Sequence, residues 1–352
     1  MPLARIPDMA VVTAYTVALG AVGAALAHAL AFPAWVLMGP ALLVSLAGLG
    51  GLRLGVADAL RDVCLVVLGL AVGAGFDLQT GTAILRWPLA FVVLACMLVV
   101  VMGLGRLVLM RVFGFDRRSA GLAAAPGHLS FVMGLASDID ADIGRIAVVQ
   151  SIRLLFLTVS VPFAAQALGY RFGDMGAAAG PAMALPALAG LALAAVGAGL
   201  VLRRLRCPAP LLLGAMAVSG LGHVTELTPG AVPAMLLVPA FLVLGTLIGT
   251  RFAGMSRAQF AGSLLAGLSI TAISITCACL AALPVAMALS MPAAHVLAAF
   301  APGGLETMIA LGAAMGASPG FVAACHVARL LILVMLIPLF VGRRGATAPT
   351  DA

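Results

Sequence analysis

Pro126-Gly127-His128-Leu129, followed by Gln150-x-x-Arg153-Leu154-Leu155 and Pro162, returns 176 residues later as Pro302-Gly303-Gly304-Leu305, His326-x-x-Arg329-Leu330-Leu331 and Pro338. Between the prolines that bracket each copy, 12 of 37 positions are identical, where a chain this rich in Ala, Leu, Gly and Val gives roughly four by chance. The chain therefore reads as a duplicated unit, with residues 1–170 and 171–345 as two membrane repeats and 346–352 as a disordered tail. Each copy also sets one arginine deep in an apolar segment, where a charge is costly and is kept for a purpose.

Composition places the whole chain in a bilayer. With 64% hydrophobic residues, 9% charged residues and a mean hydropathy of +1.22, it reads as an all-α polytopic membrane protein. The polar stretches are too short for a separately folded soluble module. A formal charge of +7 would suggest nucleic acid in a soluble protein. Here all 19 basic residues are Arg and most fall at segment ends, so the charge is a topology signal and no direct nucleic-acid contact is expected. The six cysteines are scattered and form neither a disulfide framework nor a metal knuckle.

Apolar runs separated by Gly, Pro or charge give ten spanning helices, at about 9–30, 34–52, 58–77, 86–113, 142–169, 181–203, 209–225, 233–251, 258–283 and 320–342. The first resembles a signal peptide at its Ala-Leu-Ala-His-Ala end. It is long for one and has a counterpart opening the second repeat, so it reads as the first spanning helix. Two further apolar segments, about 119–141 and 293–318, are broken near their starts by the Pro-Gly pairs. If both cross fully, the arginines divide poorly between the two faces. If both dip in and return, most gather on one face, leaving only Arg86 and Arg171 opposite and Arg153 and Arg329 within the membrane. Both termini are then cytoplasmic, in the inner membrane of a bacterium. Five crossings plus one hairpin per repeat turn the second copy upside down, the inverted-repeat plan of many secondary transporters. Crossing discontinuous helices remain the alternative geometry.

Several residues could carry chemistry. The breaks at Pro126, Gly127 and His128 and at Pro302, Gly303 and Gly304 remove helix donors and let the backbone take unusual angles, leaving polar groups that need a partner inside the membrane. That partner is a ligand or, on the structural reading, a neighbouring helix. Arg153 lies about eleven residues into its helix, roughly 16 Å deep, so it and Arg329 need a carboxylate, carbonyls or an anion. Each either receives an anionic solute or pins its own repeat's hairpin. Gln150 and His326 sit three residues before the arginines, on the same helix face. Glu306 is the only acid deep in the second hairpin, able to ion-pair with Arg329 or carry a coupling proton. Asp138, Asp140 and Asp142 read as a solvated helix start, with Asp142 favouring the positive helix end. The five histidines lack metal-ligand spacing, and no catalytic motif is present. The chain thus reads as a non-enzyme with no cofactor and no metal.

Taken together, P-G-[HG]-L followed by [QH]-x-x-R-L-L in both copies resembles the AbrB-type integral membrane family of bacteria, whose members consist of a duplicated membrane domain. That family shares only its label with soluble DNA-binding proteins. Its members have been labelled ammonia monooxygenase or transcriptional regulator. The first label needs a clustered metal site and the second a surface outside the bilayer, and neither is found in these residues. The expected function is a transporter-like membrane protein handling a small anionic or polar solute at a midplane site between the repeats. A membrane-embedded sensor acting indirectly on gene expression is the alternative, and a membrane oxygenase a minor one. Partners beyond the lipid bilayer are the solute and, with oligomeric state open, a second copy in a homodimer.

Overall fold

The computed structural model describes residues 8–76, 87–127, 129–138, 141–167, 169, 181–205, 207 and 209–341. His128, Arg86, Asp140, Arg171, Arg206 and the 346–352 tail lie outside the described residues. Fourteen α-helices form the fold among them. The first seven are α1 (Met9–Ala29), α2 (Trp35–Leu49), α3 (Asp58–Gly73), α4 (Pro88–Arg111), α5 (Arg117–Ala124), α6 (Leu129–Asp138) and α7 (Ile143–Ala167). The next seven are α8 (Leu185–Arg204), α9 (Pro210–Val224), α10 (Ala234–Thr250), α11 (Arg257–Leu289), α12 (Ala293–Phe300), α13 (Leu305–Ala314) and α14 (Pro319–Val341). The chain is an all-α polytopic membrane protein.

Six helices, α1, α4, α7, α8, α11 and α14, are long and apolar enough to cross a membrane. The other four expected spans are the shorter helices α2, α3, α9 and α10, of 15 to 17 residues. At 1.5 Å per residue these rise about 23–26 Å, less than a hydrocarbon core of about 30 Å. The expected spans were too long because apolar flanks extend beyond the helical residues. The opposite error occurs at α11, which runs 33 residues through Pro284. A proline interrupts a helix less in apolar surroundings, where neighbours re-satisfy the freed carbonyl.

Helix starts recur at the sequence offset. α1 and α8, α3 and α10, α5 and α12, α6 and α13, and α7 and α14 each begin 176 residues apart. The correspondence extends to unusual backbone. Ala34 before α2 and Ala209 before α9 both take left-handed angles, φ 48° and 42°, which L-residues adopt at a cost of about 1 kcal/mol. It extends to close approach as well. A Cβ on Gly39 would lie 2.2 Å from the Gly23 carbonyl oxygen, and one on Gly214 would lie 2.5 Å from the Gly199 nitrogen. Both α1–α2 and α8–α9 thus cross backbone to backbone, the small-residue packing that holds helices together in lipid.

The helices sort into two bundles that each mix the halves. α1, α2 and α3 pack with α8, α9 and α10, while α4 to α7 pack with α11 to α14. Within the first, α3 lies on α9 and α10 on α2; within the second, α7 lies on α11 and α14 on α4. Cys64 Sγ donates to the carbonyl of Ala240, 176 residues away, so α3 and α10 meet where the two halves face each other. The bundles touch through α2 and α10 against α7 and through α3 against α13.

The broken segments fold back. Asp142, at the start of α7, donates its amide to Ser119 Oγ near the start of α5. Arg145 reaches the carbonyls of Phe113 and Gly114 at the end of α4 and lies 3.6 Å over the Phe115 ring. α6 therefore ends on the side where α5 began. In the second copy, His295 near the start of α12 contacts the Met315 carbonyl just after α13. Helices of 8 and 10 residues rise about 12 and 15 Å, enough to reach mid-depth and return. Asp142 also accepts from the Arg145 amide, capping the positive end of α7.

Candidate functional site

Each hairpin tip is built by a proline. Ala125 and Ala301 precede Pro126 and Pro302 and take extended angles, ψ 120° and 128°, because the proline ring excludes the helical region for the residue before it. α5 and α12 stop there, and their last carbonyls have no helical donor. The donors come from α7 and α14 and, for Ala125, also from the Gly127 amide. Gln150 Nε2 donates to the carbonyls of Leu122, 3.0 Å, and Ala125, 2.9 Å. Arg153 Nη1 donates to Ala125 at 3.2 Å and Nη2 to Gln150 Oε1. In the second copy Arg329 Nη1 donates to the Ala301 carbonyl at 2.8 Å. Both arginines pin the tip of their own repeat's hairpin, the structural role that residue type allowed.

The glycines of the breaks act through space and not through angle. The expected unusual backbone is not found: Gly127, Gly303 and Gly304 are not among the positive-φ residues. A Cβ on Gly303 would instead meet the Met308 side chain at 2.6 Å, and one on Gly304 would meet Leu154 Cδ1 at 2.9 Å. With proline already ending the helix, glycine is needed only where neighbours crowd the tip.

The tips converge on one small cavity, about 40 Å³, enough for a few waters or one small ion. Its wall takes in Pro126, Gly127, Gln150 and Arg153 from the first repeat and Pro302, Gly303, Gly304, Glu306, His326 and Arg329 from the second. Every predicted candidate except His128, which lies outside the described residues, lines it. Gln150, Arg153, His326 and Arg329 are 3%, 4%, 0% and 3% exposed. His326 Nδ1 faces the Val322 carbonyl at 3.0 Å, while His326 Nε2 and Arg329 Nε are buried with no hydrogen-bond partner. No carboxylate lies within ion-pairing distance of Arg153 or Arg329 among the described residues. The expected Glu306–Arg329 ion pair is therefore not formed among the described residues; Glu306 shares the cavity wall with Arg251.

Arg251 and Leu154 complete one side of this cavity. Both also border a second one of about 250 Å³ between the bundles, shared with Gly304 and Glu306 and lined by Arg61 and Leu65 of α3 and by the end of α10. The second cavity forms a vestibule on the side where α3 begins and α10 ends. Sequence reasoning missed Arg251 and Arg61, the latter ion-paired with Asp58 and Asp62, because an arginine at the end of an apolar run carries the same signature whether it marks topology or borders a cavity. Three guanidinium groups against one carboxylate make the inner cavity electropositive.

The comparisons with known proteins bear on the chain as a whole. No solved structure matches it. It is 27% identical over 295 residues, 78% of this chain and 76% of the relative, to the uncharacterized protein YhjN of Bacillus subtilis (strain 168). The profile of the family described as "Transition state regulatory protein AbrB" matches residues 36–343. A match over most of the chain, on the duplicated unit whose two tips build the cavity, means that this protein belongs to the AbrB family.

Proposed function

We propose that this AbrB-family membrane protein is a transporter of the bacterial inner membrane, with both termini cytoplasmic, that binds a small anionic solute where its two hairpins meet. The reading rests above all on one observation: Arg153 and Arg329, buried and unmatched by carboxylates among the described residues, line a single cavity. A cation in hydrocarbon surroundings needs countercharge, and an anion supplies it. Five crossings and a hairpin per repeat would make the second repeat an inverted copy, with hairpins entering from opposite faces to meet near the midplane. The two bundles, each drawn from both repeats, are the bodies that would move against one another. In the described arrangement the vestibule would give the solute its path from the cytoplasmic side.

The family description names a regulatory protein, which favours a second reading in which the same site senses the anion without moving it. Flux separates the two. Proteoliposomes containing the wild-type protein should show saturable exchange of small carboxylates or phosphate, lost in Arg329→Gln while the melting temperature stays within a few degrees. Ligand-induced stabilisation with no flux in either direction would select the sensor. Absence of both flux and binding would remove the anion site altogether.

A further inference from the structure

The two repeats solve the same problem differently, and only the second pin leaves fully enclosed nitrogens without a partner. In the first, Gln150 and Arg153 satisfy one another and two carbonyls. In the second, the residue at the glutamine position is His326, and both His326 Nε2 and Arg329 Nε are buried without a partner on the wall of the cavity. A buried polar nitrogen with no partner is costly, so two from residues three apart on one helix face mark where a ligand makes its bonds. Their chemistry is complementary. Arg329 Nε–H can only donate. His326 Nδ1 faces a carbonyl oxygen, which can only accept, so Nδ1 holds the ring proton and Nε2 of the neutral ring is a bare acceptor.

We propose that His326 and Arg329 bind an oxyacid in its protonated form, so that one anion and one proton occupy the site together. This deepens the anion-site reading and rests on it. The acid's carbonyl or phosphoryl oxygen accepts from Arg329 Nε, and its O–H donates to His326 Nε2. If the proton passes to Nε2, an imidazolium stands beside the oxyanion and the atoms are unchanged. The other charged groups facing the cavity are Arg153 from α7, Arg251 after α10 and Glu306 from α13. Among the described residues α4, α5 and α12 contribute none. The arginines attract the anion but keep their protons. The bases that remain are Glu306, which has a partner of its own, and His326, whose Nε2 has none and takes the acid's proton. The shared ligand chemistry is a group with one acidic O–H beside one acceptor oxygen, offered by a carboxylic acid or a hydrogen phosphate.

Calorimetric titration of the detergent-purified full chain with propionate, inorganic phosphate and nitrate between pH 8 and pH 9 tests this. Propionate should bind about tenfold more weakly at pH 9, with uptake of one proton read from buffers of different ionisation heat, since a proton must be found for each carboxylate bound. Phosphate, which keeps its O–H as hydrogen phosphate across this range, should bind equally at both pH values without uptake. Whichever of the two binds names the ligand class. Nitrate, which carries no proton in this range, should bind far more weakly. His326→Gln copies the first repeat, where glutamine fits beside the arginine, and should melt like the wild type while losing the binding. Propionate binding that is flat with pH, nitrate binding as tight as the others, or undiminished binding in His326→Gln would overturn the proton-coupled site and leave the anion site standing. If none of the three anions binds, the anion site falls with it.

Discussion

The first repeat's hairpin is held by Gln150 and Arg153 together, the second by Arg329 alone. Three side-chain hydrogen bonds reach the first tip and a fourth joins Arg153 to Gln150; a single one, from Arg329 Nη1 to Ala301, holds the second. The arginines are equally buried, at 4% and 3% exposure, so burial does not distinguish them. What distinguishes them is how much of each side chain is left over after the pin is made. The second pin encloses two nitrogens without a partner, His326 Nε2 and Arg329 Nε, and these are available to a ligand. The duplicated fold thus offers an internal control, in which every substitution in one copy has a counterpart in the other.

The largest expected difference is between Arg153→Met and Arg329→Met. Both remove a cation from apolar surroundings, a gain common to the two. Arg153→Met also strips donors from Ala125 and Gln150, whereas Arg329→Met strips one from Ala301. Ala125 keeps donors from Gln150 Nε2 and the Gly127 amide, so each variant orphans one buried acceptor, Gln150 Oε1 or the Ala301 carbonyl. Arg153→Met loses one more hydrogen bond to a charged group, worth about 1.5–3 kcal/mol, and should be the less stable by about 2 kcal/mol. Thermal unfolding followed by thiol labelling of buried Cys64 and Cys325 would measure it. Equal melting of the two variants would mean that the first hairpin's extra bonds hold nothing.

An intermediate effect is expected from Gln150→His, which writes the second repeat's residue into the first. An imidazole donates through one nitrogen where the glutamine amide reaches two carbonyls, and it cannot both donate to Ala125 and accept from Arg153 Nη2 in one geometry. A loss of about 1–2 kcal/mol follows, read by the same labelling. The melting difference between Gln150→His and His326→Gln then gives the asymmetry of the two sites directly.

The asymmetry was half legible in the sequence. Pro126 and Pro302 announced both tips, since proline ends a helix whatever surrounds it. The three-residue spacing of Gln150 and His326 from their arginines put each pair on one helix face, and the structure brings all four residues to one cavity. Three things depend on partners distant in sequence and were not legible. Whether Arg329 meets Glu306 or Ala301 is decided by how α13 and α14 pack. Arg251 reads as a helix-end arginine until the end of α10 is seen to border the inner cavity. The division into two bundles follows from α3 lying on α9 and α10 on α2, exchanges between the halves that no local pattern records. Helix lengths erred for a related reason: hydropathy measures where a residue is tolerated, and Pro284 is tolerated within α11.

The smallest expected effect tests whether crowding, too, differs between the tips. Gly127 and Gly303 are counterparts at the same step of each break. A Cβ on Gly127 would sit 3.3 Å from Val132 Cγ2 and 3.5 Å from Leu333 Cδ1, while one on Gly303 would sit at 2.6, 2.7 and 2.9 Å from three atoms of Met308. Neither glycine is in the left-handed region, so alanine carries no backbone strain at either and the comparison isolates sterics. The Met308 side chain is flexible but 0% exposed, and moving it displaces its neighbours in α13. Gly303→Ala should therefore cost about 1 kcal/mol and Gly127→Ala less than about 0.5 kcal/mol. A methionine that yields to the added methyl group also shifts the wall beside Arg329. Anion binding should then weaken in Gly303→Ala by more than its melting point falls, while Gly127→Ala binds as the wild type does. Matched losses of binding in the two variants would place the ligand symmetrically between the tips and take it away from the second repeat.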